Sequence, residues 1–267
     1  MSPKGLNHFD LVIFDWAGTM VDFGCRAPIE ALVTAFARRG VTLDEAAARV
    51  DMGKAKADHV RALLARPDLA QDWRAATGTL PVEADVDALM VDLGPLMTQA
   101  AGRAAQLIPG AAKVAADLRA AGLKVASSTG YTRDMMQPVL IRAAEQGYAP
   151  DHLVCAGETP QGRPSPLMIY KACAELGVWP LSRVIKVDDA EAGIAEGRAA
   201  GCFTIGLAAS GNGMGLSLEA YLALDPTDRQ DRLSKVCGNL MAAGADMVID
   251  SVDGLIGALQ NRKLSAV

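Results

Sequence analysis

Leu11-Val-Ile-Phe-Asp-Trp-Ala-Gly-Thr-Met20 decides the fold. Four consecutive apolar residues are too few for a helix but suit a strand covered on both faces, and the run stops on a single carboxylate, Asp15. Gly18 permits the tight turn that leaves Asp15 exposed at the strand's end, which is how an aspartate nucleophile is presented. The same pattern also describes a buried strand that ends in a polar turn residue, so the rest of the chain has to decide.

At 267 residues, 51% apolar and 21% charged, the chain can bury a full core and a smaller second domain. A formal charge of -5 without any Lys/Arg block gives no electrostatic footprint for nucleic acid or an anionic membrane, so neither is expected as a partner. Any phosphate must then be held locally. The N-terminal residues lack the apolar core of a signal peptide and no run reaches transmembrane length, which predicts a cytoplasmic protein. Cys25, Cys155, Cys173, Cys202 and Cys237 are odd in number, scattered and without CxxC spacing, which speaks against a disulfide framework and a zinc site.

Beyond strand 11–15, a long stretch reads as helices at 28–39, 43–50, 54–65 and 81–106. From Ile108 onward strands and helices alternate regularly, with strands at 124–128, 152–155, 183–187, 202–206 and 247–249. This is the pattern of an α/β fold, a doubly wound, Rossmann-like parallel sheet whose first crossover contains an inserted helical cap. The expected core domain is 1–22 and 105–267, and the expected cap is 23–104. Ligands in such a sheet bind where the carboxyl ends of the strands meet. Those ends carry Asp15, Thr129-Gly130, Arg163 in the loop Gly162-Arg-Pro-Ser-Pro166, and Asp188-Asp189. A carboxylate, a hydroxyl with a free N–H, a cation and a carboxylate pair could together hold a phosphoryl group with Mg²⁺.

In that order these positions resemble the haloacid dehalogenase-like superfamily of phosphohydrolases. The resemblance implies that Asp15 attacks phosphorus, Thr129 and the Gly130 amide bind phosphoryl oxygens, and Arg163 steadies charge. It also implies that Asp189 holds Mg²⁺ together with Asp15 and the Ala17 carbonyl. Gly193 stands where some relatives carry another acid and Asp188 where some carry glycine, so the choice between Asp188 and Asp189 stays open, with the resemblance favouring Asp189. One departure is informative. Most phosphatases of the superfamily place a second Asp two residues after the nucleophile to protonate the departing alkoxide, and here that place is Ala17.

The helix expected at 54–65 suggests why. Lys56 shares a face with Val60, Leu63 and Leu64, whereas Lys54 faces Asp58 and Arg61 as a surface lysine does. A lysine withdrawn from water favours its neutral amine, which can condense with an aldehyde. It can equally lay its stem on the apolar face and keep its ammonium in water. Met52-Gly-Lys-Ala-Lys-Ala-Asp-His-Val-Arg61, together with Asp15-Trp-Ala-Gly-Thr19, Asp22-Phe-Gly-Cys25 and Ser128-Thr-Gly-Tyr-Thr-Arg133, resembles the phosphonoacetaldehyde hydrolases, or phosphonatases, and the similarity runs nearly end to end.

By that resemblance Lys56 forms a Schiff base with the aldehyde of phosphonoacetaldehyde. The iminium then accepts the C–P bond electrons as Asp15 takes the phosphoryl group, so no alkoxide leaves and no acid is needed at Ala17. The resemblance places His59, Met52, Cys25 and Tyr131 near the substrate, although each could equally be packing. It further implies Mg²⁺, a homodimer and a role in degrading phosphonates such as 2-aminoethylphosphonate. Two rivals fit parts of the pattern. A sugar-phosphate phosphatase or mutase of the same superfamily is opposed by Ala17, and a receiver-type phosphoacceptor by the late acidic pair and the helical insertion.

Overall fold

The computed structural model describes residues 6–261, so 1–5 and 262–267 at the ends of the expected core domain lie outside the described residues. Strand β1 (Leu11–Phe14) is fully buried. Val12 and Phe14 join one apolar cluster and Leu11 and Ile13 another, the two-residue alternation of a strand with helices on both faces. With β2 (Lys124–Thr129), β3 (His152–Cys155), β4 (Val184–Asp188), β5 (Phe203–Leu207) and β6 (Met247–Ile249) it forms a parallel sheet of order β3-β2-β1-β4-β5-β6. This is the expected doubly wound, Rossmann-like α/β architecture. The strand order reverses at β1, so the carboxyl end of β1 opens at the switch point.

Register fixes what meets there. Phe14 pairs with Ser127 on one side and Val187 on the other. Asp15, Ser128 and Asp188 therefore leave three adjacent strands at one level.

Between β1 and β2 lie α1 (Ala27–Ala37), α2 (Glu45–Arg49), α3 (Lys56–Leu64), α4 (Pro67–Thr77) and α5 (Glu83–Ala104). Helix α4 is not evident from sequence because only Leu69 and Trp73 are buried on it, too thin a stripe to show a period. Helix α3 also starts later than expected. Asp51 and Gly53 take φ of 63° and 90° and Ala55 is extended, so Lys54 sits in a turn ahead of the helix. Lys54 pairs with Asp51 rather than facing Asp58 and Arg61, which pair with each other at 2.6 Å. One apolar cluster runs from Phe14, Trp16 and Met20 into Leu32, Phe36, Val60 and Leu89, so the inserted helices pack continuously with that face of the sheet.

Helix α6 (Ala111–Ala120) leads into β2, and after β2 come α7 (Arg133–Glu145), α8 (Leu167–Leu176), α9 (Glu191–Ala200), α10 (Leu218–Leu222), α11 (Pro226–Ala242) and α12 (Leu255–Asn261). Helix α11 too was hidden by its polarity, with Leu233, Val236 and Leu240 as its buried residues. Among the described residues no helix is long and apolar enough to cross a membrane, and all five cysteines are free.

Helix α9 lies close on β4 and β5. A Cβ on Gly197 would stand 2.6 Å from Thr204 Cγ2 and 2.8 Å from Lys186 Cβ. Gly197→Ala is therefore expected to lower the unfolding free energy by about 1–3 kcal/mol through overpacking. Urea unfolding would read this as a lower midpoint at unchanged slope. An unchanged midpoint would show that α9 is not held at that distance.

Candidate active site

Asp15 is anchored by its own backbone, its N–H donating to the Val187 carbonyl at 3.0 Å. Its carboxylate accepts from Arg163 Nη1 at 2.8 Å. Arg163, fully buried, also donates through Nε to Glu196 at 2.9 Å and through Nη2 to the Ser128 carbonyl and hydroxyl at 2.7 and 2.9 Å. Lys186 reaches the same cluster from β4, its ammonium 2.9 Å from Ser128 Oγ and 2.9 Å from Asp188. Arg163 lies 3.4 Å from Asp188.

These charges divide the three aspartates. Burial works against the Asp188 carboxylate, but Lys186 and Arg163 outweigh it and hold the group below the usual carboxylate range. Asp15 is pushed up to about 6 by burial and by Asp188, against the pull of Arg163 and Lys186. Asp189 goes well above the usual value through burial, Asp15 and Asp188. Thr19 Oγ1 and the Asn212 N–H donate to it at 3.0 and 2.7 Å, but no cationic side chain among the described residues pairs with it. Asp15, Asp188 and Asp189 each offer an oxygen within 4.8 Å of the others. Such a donor set, all oxygen and short of positive charge, fits a hard divalent cation. Asp15 and Asp189 face the pocket, whereas Asp188 is engaged by Lys186 and Arg163. The absence of a side chain at Gly193 makes room for Asp188, since a Cβ there would lie 1.9 Å from Asp188 Oδ2.

A small pocket beside these carboxylates is lined by both halves of the chain. Asp15, Ala17, Thr129, Gly130, Tyr131 and Asp189 come from the sheet side, while Cys25, Met52, Gly53 and Lys56 come from the linker and inserted helices. Gly130 allows that approach, because a Cβ there would stand 2.5 Å from the Lys54 carbonyl oxygen. Lys56 is only 3% exposed. Its Nζ lies 3.7 Å from Met52 Sδ and 5.4 Å from the centre of the Tyr131 ring, and among the described residues no carboxylate pairs with it. Burial lowers it to about 8, with Cys25 and Asp15 pulling the other way. At pH 7 about a tenth of such amines are neutral, against about one in 3,000 for an ordinary lysine. His59, one turn along α3, is fully buried and lowered to about 3 by burial and by Lys56, so its ring is neutral. Burial pushes the Cys25 thiol and the Tyr131 phenol up, which leaves both protonated.

Of the residues singled out from sequence, the structure brings together Asp15, Ala17, Cys25, Met52, Lys56, Thr129, Gly130, Tyr131, Arg163 and Asp189, and sets His59 one turn beyond Lys56 on α3, outside the pocket lining. It adds Lys186, Glu196, Ser128, Thr19 and Asn212. Lys186 carried a signal, since a lysine inside the apolar run Val184-Ile-Lys-Val187 has to find a buried counter-charge. Glu196 carried none, because its partner Arg163 lies 33 residues away.

The model of the haloacid dehalogenase-like hydrolase family matches residues 9–201. A protein of Paraburkholderia phytofirmans named phosphonoacetaldehyde hydrolase is 45% identical over 251 residues, 94% of each chain. One of the same name from Bacillus cereus is 41% identical over 246 residues, 92% of this chain and 93% of its own. The chain belongs to the phosphonoacetaldehyde hydrolase family. In three dimensions, a phosphonoacetaldehyde hydrolase-like protein from Oleispira antarctica superposes with a TM-score of 0.94 at 39% identity, over 96% of this chain and 93% of that one. Membership of this family of hydrolases makes the protein an enzyme.

Titrating Mg²⁺ or Mn²⁺ is expected to raise the melting temperature, since binding only the folded state is worth about 2.7 kcal/mol at a hundredfold excess over Kd. The gain should shrink as pH falls through about 6, where Asp15 takes up a proton and leaves the metal. In the metal-free protein the sign is opposite. Asp15 binds its proton more tightly folded than unfolded, so its contribution to stability falls as pH rises through about 6. A melting temperature indifferent to both ions at pH 8 would contradict the metal site.

Proposed function

We propose that the protein hydrolyses the C–P bond of phosphonoacetaldehyde to acetaldehyde and phosphate, through a Schiff base on Lys56 and an aspartyl phosphate on Asp15. The observation that carries this is a buried lysine, without a carboxylate partner among the described residues and with a lowered pKa, in the same pocket as Asp15. The neutral Lys56 amine adds to the aldehyde and loses water, while His59, held neutral one turn along α3, places no second positive charge beside that amine. Asp15, a carboxylate at neutral pH, attacks phosphorus while the C–P electrons pass into the iminium, leaving an enamine on Lys56. Water then hydrolyses the aspartyl phosphate. The enamine is protonated at carbon and a second water releases acetaldehyde and the free amine, so one water is consumed overall. Among the described residues Ala17 supplies no acid, and none is required, because no alkoxide departs.

Mg²⁺, held by Asp15, Asp189 and the Ala17 carbonyl, would neutralise charge between the nucleophile and the phosphoryl oxygens. Arg163, Thr129 and the Gly130 amide take the remaining phosphoryl oxygens. Met52, Cys25 and Tyr131 enclose the two-carbon aldehyde. We further infer that 23–104 acts as a cap on a core of 1–22 and 105–267. Lys56 is too buried for substrate to reach it unless the inserted helices swing on the linker near Asp22–Cys25 and on the last turn of α5 at Ala101–Ala105. The chemistry suits a step in the breakdown of 2-aminoethylphosphonate by a homodimeric cytoplasmic enzyme.

Purified protein with phosphonoacetaldehyde and Mg²⁺ is expected to release acetaldehyde and phosphate in equal amounts. Asp15→Asn should abolish release with circular dichroism unchanged, because an amide is neither a competent nucleophile nor a strong metal ligand. Lys56→Arg should lower turnover by at least about a thousandfold, since a guanidinium keeps the charge but cannot form the imine. Phosphate without acetaldehyde, or a Lys56→Arg variant near the parent rate, would contradict the proposal.

A further inference from the structure

Arg49, in the last turn of α2, directs one guanidinium at two separate segments, Gly24–Cys25 and the loop at 212–215. Its Nη1 lies 3.1 Å from the Gly24 carbonyl, 3.4 Å from that of Cys25, and 3.1 and 3.4 Å from the side-chain and main-chain oxygens of Asn212. Its Nη2 donates to the Gly215 carbonyl at 3.1 Å. Asn212 returns a bond from Nδ2 to the Arg49 carbonyl at 3.2 Å, and its own N–H donates to Asp189 at 2.7 Å. The surrounding backbone is shaped to this contact. Gly215 has φ of 69°, and a Cβ there would stand 2.8 Å from Arg49 Nε. Gly24 passes so near the same loop that its Cβ would lie 2.1 Å from the Leu216 oxygen, and its N–H donates to the Ser210 carbonyl at 2.7 Å. Every acceptor of Arg49 is a neutral oxygen. Nothing in the proposed reaction uses these bonds.

We propose that Arg49 is a positioning residue, a clasp joining the linker at Gly24–Cys25, the turn that leads into Lys56, and the loop that holds Asp189. Closing the helical insertion and fixing the Asp189 carboxylate then become one event, because Asn212 is bound to both. An arginine suits the task. Its planar fork can hold several carbonyls in fixed directions, which a single ammonium cannot do. The proposal rests on the reading of 23–104 as a mobile cap, and its test is independent of the reaction.

Cys25 is 3% exposed, inside the pocket, whereas Cys155, Cys173 and Cys202, exposed by 0%, 4% and 7%, lie in the sheet's packing and report general loosening. Labelling the full chain with N-ethylmaleimide, with each cysteine quantified by peptide mass spectrometry, separates the two kinds of opening. Arg49→Ala is expected to speed Cys25 labelling at least tenfold and leave the other three unchanged. Arg49→Lys should behave similarly. Asn212→Ala, which keeps the N–H to Asp189, should give a smaller rise. Cys25 labelling at the parent rate in Arg49→Ala would overturn the clasp, and so would an equal rise at all four cysteines. If the parent failed to cleave phosphonoacetaldehyde, the proposed function would fail while the labelling result stood on its own.

Discussion

The Arg163 guanidinium meets Asp15, Glu196 and two oxygens of Ser128 at 2.7–2.9 Å with no exposure to water, and the rest of the site follows from the conditions that contact imposes. Three strands have to end at one level, which the register of β1 with β2 and β4 provides. A second cation has to enter the cluster, because one guanidinium cannot balance Asp15, Asp188 and Glu196 together, and Lys186 is that cation. Desolvating so many charges is costly unless each is matched. Arg163 and Lys186 still leave one negative charge on Asp15, Asp188 and Glu196, and Asp189 adds another, with hydrogen-bond donors but, among the described residues, no cation paired with it. A divalent metal would complete that balance.

On the other side of the same pocket the electrostatics run in reverse. Lys56 is buried against Met52 and Tyr131 and, among the described residues, paired with no carboxylate, so that about a tenth of its amines are neutral at pH 7. Had it formed an ion pair, its amine would stay protonated and could not add to a carbonyl. One fold therefore keeps Asp15 ionised by giving it Arg163, and keeps a share of Lys56 neutral by withholding a partner. The sheet supplies the first environment and the inserted segment supplies most of the second, so the proposed chemistry requires both in contact.

Sequence made the sheet and its strand ends legible because a two-sided apolar run followed by a glycine turn has few other uses. Asp15, Thr129, Arg163 and Asp189 followed from reading the strand ends together. The insertion was legible as helices, but α4 and the start of α3 were not, since Leu69 and Trp73 make too short a stripe and the left-handed residues Asp51 and Gly53 leave no periodic trace. Lys56 was separable from Lys54 by its apolar company even though the exact turn was misplaced. Glu196, Asn212 and Arg49 were out of reach, because what they do depends on contacts across 23 to 166 residues that no local pattern encodes.

The account turns on whether Lys56 becomes covalently attached to the aldehyde. Borohydride added during incubation with phosphonoacetaldehyde or acetaldehyde reduces an imine to a stable secondary amine, and peptide mass spectrometry locates it. The expected result is irreversible inactivation with a two-carbon increment on Lys56 and none on Lys54, which is paired with Asp51 in the preceding turn. Modification at Lys54, or continued turnover with Lys56 unmodified, would contradict the electron-sink mechanism and remove the explanation for Ala17.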